Sequence, residues 1–275
     1  VRFAGRYGAR RARSSGQGRS IAKMSEHYSS GVVGAGGNIL TSEDSGGTWT
    51  RQNGIIDTDT VWSASGSPYV VTGSVLVSEG VKLTVEAGVE VKFSSGTSLQ
   101  VFGELVAQGT SSSGITFTST QDSKAAGDWG QILFYDSSVD ASYDGNGDYA
   151  SGSILEYCTV EYGGGILLSK GNPFINQSVI RYHSGSGIRT DSYDYNNSTP
   201  TLKITNNTSS NNKGGSYGGG ISLYWYAVNT VIISGNTISN NVGSNGGGIK
   251  ADGSSMIISA NTIESNQQGT MSMME

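Results

Sequence analysis

The sequence predicts an all-β fold of the solenoid kind, and three observations carry that prediction. Four copies of one phrase ending in Gly-Ile run through the second half: Cys158-Thr-Val160 leads to Gly165-Ile166, Ser178-Val-Ile180 to Gly187-Ile188, Asn207-Thr-Ser209 to Gly220-Ile221, and Asn236-Thr-Ile238 to Gly248-Ile249. A fifth copy opens at Asn261-Thr-Ile263. Val, Ile, Thr and Tyr alternate with Ser, Asn and Gly at the period of strands, whereas Ala, Leu, Glu and Lys do not recur at helical spacing. Composition agrees, since 42 glycines against 3 prolines and a charged fraction of 14% suit many short strands joined by turns, and collagen is excluded because no strict glycine triplet is present.

The basic head comes first in the chain. Arg2, Arg6, Arg10, Arg11, Arg13, Arg19 and Lys23 occur there without an acid, so a net charge of −5 hides a body of −12. An acidic body repels phosphate backbones, which makes nucleic acid a poor partner for it; the head could serve as a nucleic-acid arm, but it reads as a disordered or non-native leader because no apolar periodicity accompanies its charges. No apolar run is long enough to span a bilayer. One cysteine, Cys158, excludes an internal disulfide framework, and its place in the phrase predicts a small buried side chain.

Within residues 31 to 49, Ser42-x-Asp44-x-Gly46-x-Thr48-Trp49 predicts a tight hairpin. Asp44 can accept backbone N–H bonds across the turn, Gly46 can take φ > 0, and Trp49 can pack beneath. The pattern resembles the Asp-box of sialidase-type β-propellers, in which it is a structural hairpin away from the catalytic centre. A propeller needs several blades, so the resemblance implies a propeller remnant or a solitary hairpin capping the solenoid.

From Val61 onward the chain turns to short alternating strands: Val81–Val85, Val89–Phe93, Leu99–Val101, Ile115–Phe117 and Ile132–Phe134. Leu83, Leu99, Ile115 and Ile132 recur at 16, 16 and 17 residues, and Gly80, Gly96 and Gly114 place a bend before three of the strands. In the Gly-Ile region the distance from phrase start to Ile is 8, 10, 14 and 13 residues, and from Ile to the next start 12, 19, 15 and 12. The shortest coil is therefore about 20 residues, enough for three short strands and three bends. Excess length falls at two places per coil, before Gly-Ile (213–218, 242–245) and after it (192–197, 224–228), where it would stack into outer ridges. Asn207, Asn236 and Asn261 are expected in successive bends, in αL conformation, each amide bonding to its equivalent in the next coil.

The stretch from Gly80 to Phe93, with Gly103-Glu-Leu-Val-Ala-Gln-Gly109 and Ile115-Thr-Phe-Thr-Ser119, resembles the opening coils of bacterial right-handed parallel β-helix (pectin-lyase-like) proteins. The later Asn-x-Ile-x-x-Asn and Gly-Gly-Ile phrases are similar to their following coils. The predicted fold is thus a right-handed parallel β-helix solenoid with a short N-terminal β-hairpin or propeller remnant. Its expected organisation is a basic leader at 1–25, an Asp-box hairpin at 26–60 and the β-helix at 61–275, truncated at the C-terminus. That family contains pectin-degrading enzymes, epimerases, adhesins and inactive proteins, so fold alone does not assign function.

Three constellations offer chemistry. Asp144, Asn146 and Asp148 alternate as in the first half of a calcium loop, which would make Ca2+ the cofactor, but Tyr149 and Leu155 stand where that pattern wants Gly and Glu, and an acidic Gly-rich turn explains the residues better. Arg181, His183, Arg189 and Asp191 have the residue types for acid/base work on an acidic sugar: His183 to move a proton, an arginine to hold a carboxylate, Asp191 as acid. The cluster is faintly similar to the His-Gly and Arg motifs of polygalacturonases, although their Asn-Thr-Asp and Asp-Asp motifs are absent, and a solvated polar edge is the competing reading, as it is for Lys250 and Asp252. Tyr224, Trp225 and Tyr226 cannot all face a thin core, and with Tyr193, Tyr195 and Tyr217 they would form a platform for stacking sugar rings, unless they pack between coils.

The expected function is a secreted or cell-surface module that binds a polysaccharide or surface glycan, or mediates adhesion, through its inserted loops and without catalysis. The alternatives are a polysaccharide lyase or glycoside hydrolase acting on an acidic polysaccharide, and a structural spacer of a larger surface protein.

Overall fold

The computed structural model describes residues 40–44, 47–191, 194–199, 201–228, 230–253 and 255–269, with side chains from Trp49 onward except at 192–200, 225–229 and 253–254. The basic leader lies outside the described residues. The first strands are β1 (Leu40–Asp44), β2 (Gly47–Ile56), β3 (Thr60–Trp62), β4 (Tyr69–Val77), β5 (Lys82–Val85), β6 (Glu90–Phe93), β7 (Leu99–Val101), β8 (Glu104–Gln108), β9 (Ile115–Ser119) and β10 (Ile132–Phe134).

Each strand buries alternate residues: Leu83 and Val85 in β5, Val91 and Phe93 in β6, Leu99 and Val101 in β7. Three such strands with bends between them make one turn of a right-handed parallel β-helix, and each residue then pairs with its equivalent one turn later. The first face is an eight-stranded parallel sheet running from β3, β5 and β8 to Met256–Ser259. A second, 17-stranded sheet supplies the other two faces, because β2 and β4 bend and serve both: Tyr69 to Val71 pair with β6, and Val75 to Val77 with β7.

The Gly-Ile phrase is the clearest column of this stack. On the third face Val75, Leu99, Ile132, Ile166, Ile188, Ile221 and Ile249 lie in register, one above the next. Its glycines are required by the approach of the following coil: a Cβ on Gly165, which sits at φ +100°, would run into the Ser186 carbonyl. Aromatic side chains thicken the core at the N-terminal end, where Phe93 stacks on Trp129 at 4.2 Å and lies 6.5 Å from Phe117. On the last described coil Ile257, Ile258 and Ile263 are about half exposed.

From Ile154 onward two corners vary in length and one does not. Between the first and second faces a single left-handed residue turns the chain: Tyr157 (φ 49°), Gln177 (47°), Asn206 (57°), Gly235 (69°) and Ala260 (54°). The next residue is the one expected to form a ladder. Asn207 N–H donates to Asn236 Oδ1 at 2.8 Å, and Asn236 N–H to Asn261 Oδ1 at 2.9 Å, while the Asn207 and Asn236 amides donate to the Ile175 and Ile204 carbonyls. The ladder therefore forms as expected, but the αL conformation falls one residue earlier than predicted. The reason is geometric: the left-handed residue reverses the chain outward, and its successor points into the corner, where Asn207 is buried.

Around the Ser-x-Asp-x-Gly-x-Thr-Trp pattern β1 pairs antiparallel with β2, with Ser42 opposite Trp49. Gly46 and the side chains of Ser42, Asp44 and Thr48 lie outside the described residues. β2 does not stop at the hairpin, since Thr50 to Ile56 pair in parallel with β4, so hairpin and first coil share one strand.

Candidate functional site

The four residues singled out for acid/base work are not gathered together. Arg181 lies on the strand Val179–Arg181 of the second face, and Arg189 on Ile188–Thr190 of the third. His183 sits between them, inside the corner and 0% exposed. Its Nδ1 accepts the Gly163 N–H at 3.1 Å and its Nε2 lies 3.0 Å from the Val160 carbonyl, which requires the neutral tautomer with the proton on Nε2. Burial pulls its pKa down to about 4, against the weaker opposing effects of the Val160 carbonyl and of Glu161. A ring so enclosed has no free nitrogen for a substrate. Asp191 follows Thr190 at the surface and is exposed.

His183 belongs instead to a second ladder that sequence reasoning missed. Its backbone N–H donates to Asn212 Oδ1 at 3.1 Å, Asn212 N–H to Asn241 Oδ1 at 3.0 Å, and Asn241 N–H to Asn266 Oδ1 at 2.9 Å. The signal was present in the sequence, because each rung follows the first ladder by five residues: Ser178 and His183, Asn207 and Asn212, Asn236 and Asn241, Asn261 and Asn266. The residue before each is again left-handed, as at Tyr182, Asn211, Asn240 and Ser265.

Arg181 makes a two-pronged ion pair with the nearly buried Glu161, through Nε at 2.9 Å and Nη2 at 2.8 Å, and Thr118 donates to the other carboxylate oxygen. The pair fastens adjacent rungs of the second face. Cys158 is buried and its thiol pKa is raised by that burial, so the group is a small apolar filler.

Asp144, Asn146 and Asp148 occupy the tip of a hairpin between Ser142–Tyr143 and Tyr149–Ser151. Asp144 Oδ1 accepts the N–H groups of Asn146 and Asp148, each at 2.9 Å, which is the bonding of an Asx turn. The Gly147 carbonyl is met by the Lys203 ammonium, which also lies 3.8 Å from the Tyr143 ring centroid. A cation from the protein itself thus faces this loop, and among the described residues no group of three or more His, Cys, Asp or Glu is gathered as metal ligands.

The structure does bring two other predictions together, on the outer side of the third face. Alternation turns Ile188 and Thr190 inward and Arg189 outward, and Ser222 and Lys250 continue its row on the next two strands. The loop before Gly220 folds over Ser222, whose Oγ accepts the Gly218 N–H at 3.1 Å, and this carries Tyr217 above Arg189. The guanidinium carbon stands 4.6 Å from the Tyr217 ring centroid, and Tyr217 meets Tyr224 edge-on at 5.8 Å. Lys250 Nζ lies 3.2 Å from the Tyr224 centroid and 3.2 Å from Asp252 Oδ2. Partial burial lowers the Lys250 pKa, but the hydrogen bonds to Tyr224 and Asp252 outweigh it and leave the pKa raised, so the ammonium holds its charge. Lys250 and Asp252, which the sequence alone presents as a solvated edge, are thus part of an ordered cluster of two cations and two phenol rings.

The remaining platform candidates are only partly described. Tyr195 belongs to the strand Asp194–Thr199, paired with Ile221–Val228, which contains Trp225 and Tyr226. Tyr193 and the side chains of Tyr195, Trp225 and Tyr226 lie outside the described residues. Among the described residues no helix is long and apolar enough to cross a membrane.

A family model of the pectate-lyase-like beta helix domain matches residues 54–192, a span that begins within β2 and takes in the Ile188–Thr190 strand of the third face. No curated protein and no solved structure matches the chain.

Proposed function

Because the chain belongs to the pectate-lyase-like β-helix domain family, we propose that it is a non-catalytic carbohydrate-binding module of a secreted or surface protein, which holds an acidic sugar polymer against its third face. The observation that carries this reading is the Arg189, Tyr217, Tyr224, Lys250 cluster. Two cations two rungs apart, roughly 10 Å, match the spacing of carboxylates on a uronate chain better than a single charge would, and phenol rings beside them offer faces to sugar C–H groups. Tyr217 is 37% exposed and available for such stacking. The enclosure of His183 favours binding over acid/base turnover, because the one imidazole among the described residues reaches no substrate.

Isothermal titration with polygalacturonate or alginate, against a neutral glucan, tests the proposal. Binding to the acidic polymers alone is expected, weakened about tenfold by Arg189→Ala or Tyr217→Ala and also by added salt. Equal binding by wild type and both variants, each shown to be folded by circular dichroism, would sink it. Release of unsaturated ends that is lost in Arg189→Ala would replace it with the lyase reading.

A further inference from the structure

The second ladder is uniform below the middle of the solenoid and changes chemistry at one rung. At Asn212 and Asn241 the side-chain oxygen accepts a backbone N–H from the preceding coil, and the amide donates to a carbonyl of that coil, Ile180 or Ser209. His183 reproduces both bonds with a ring, Nδ1 taking the place of the oxygen toward Gly163 and Nε2–H that of the amide toward Val160. Val160, Ile180 and Ser209 are equivalent positions in register. The imidazole is therefore a substitute asparagine, with one difference: an asparagine amide cannot take up a proton near neutral pH, and an imidazole can.

We propose that His183 is an acid-sensitive joint in the solenoid, whose protonation breaks the rung joining the coil that carries Gly163 to the coil that carries Arg189, while the asparagine rungs beyond it hold. A proton on Nδ1 would set two N–H groups against each other and place a cation in a corner with no access to water. The charges around this corner are few and mostly engaged. Glu161 is bound by Arg181 and Thr118. Lys124 and Asp128 stand in the overlying 120–130 loop, where Lys124 faces the Tyr162 ring and Asp128 accepts the Ala125 N–H. Lys213 on the following coil donates its backbone N–H to the His183 carbonyl. Glu161 favours the charged ring, but burial dominates, and the folded-state pKa is held down to about 4.

The direction comes from linkage. The unfolded chain, with an ordinary histidine near pH 6.5, binds the proton before the folded chain does. The contribution of neutral His183 to stability is complete above about pH 6.5, is lost as pH falls toward 4, and is absent below that. At its limit the loss is on the order of a hundredfold in the unfolding equilibrium constant.

The test compares wild type with His183→Asn, which continues the ladder without a titrating group. Urea unfolding at pH 7.5 and pH 4.5 should show wild type losing at least tenfold more in its unfolding constant than His183→Asn, since carboxylate effects are common to both. Hydrogen exchange, corrected for intrinsic rates, should show the Gly163 amide losing protection in wild type alone. Equal acid losses in the two proteins would overturn the proposal. Should His183→Asn not fold, the wild-type imidazole ¹⁵N shifts decide: a neutral Nε2–H ring persisting below pH 5 supports the joint, and titration at or above pH 6 refutes it.

Discussion

The two halves of the solenoid keep the same triangular cross-section but hold it together with different forces. From β3 to β10 the interior contains Trp62, Phe93, Phe117, Trp129 and Phe134, and stacked aromatic and aliphatic columns fill it. From Cys158 onward the inward positions shrink, with Thr190 and Ser209 among them, and buried asparagines line two corners. Less apolar volume is available there, and two continuous ladders of amide hydrogen bonds do part of the work that bulk does in the first half. Hydrophobic burial is tolerant of loop length but needs volume, whereas a ladder needs little volume but an unvarying turn. This explains why the second half can carry so much glycine and serine and still stack.

The largest expected effect is in the aromatic half. Phe93→Ala removes a ring that contacts both Trp129 and Phe117, and should cost about 4 kcal/mol in urea unfolding. In the other half Asn207→Ala deletes no comparable volume, yet strands the Ser178 N–H and the Ile175 carbonyl, which it now satisfies. A loss of about 2 kcal/mol is expected there, with amide protection failing first at Ser178. A costless Asn207→Ala would break the contrast, since the ladder would then be a passive occupant of the corner. The smallest effect has the opposite sign. Ala260 occupies the left-handed position that Gly235 fills one coil earlier, so Ala260→Gly should gain about 0.5 kcal/mol by relieving backbone strain, read as a small rise in melting temperature.

The same contrast decides what could be read from the sequence. Period-two alternation and the Gly-Ile column were legible because they depend on local geometry and on identical residues recurring, and Ile166, Ile188, Ile221 and Ile249 do stand in register. The first ladder was legible for the same reason. The second was only partly legible: Asn212, Asn241 and Asn266 recur five residues after Asn207, Asn236 and Asn261, but Gly163 and His183, which continue the ladder upward, are not asparagines. In sequence His183 is a titratable group beside two arginines, but neighbours in sequence here point to different faces of the prism. The cluster of Arg189, Tyr217, Tyr224 and Lys250 was half legible: its aromatic and arginine members were candidates, but Lys250 reaches Tyr224 only through the parallel register, which joins residues 28 positions apart in the chain.

The unvarying corner has a practical consequence. Five residues separate the two ladders on every coil, so an insertion between Asn207 and Asn212 would throw both out of step, whereas the loops beyond the second ladder are free to grow. Those at 214–218 and 243–246 already sit one above the other, joined by Ser244 N–H to the Gly215 carbonyl and Asn245 Nδ2 to that of Ser216. Foreign peptides grafted at both tips would be held in parallel at roughly the 4.8 Å spacing of the strands. The solenoid is in that sense a ruled scale, on which sequence can be written at fixed intervals without altering the instrument.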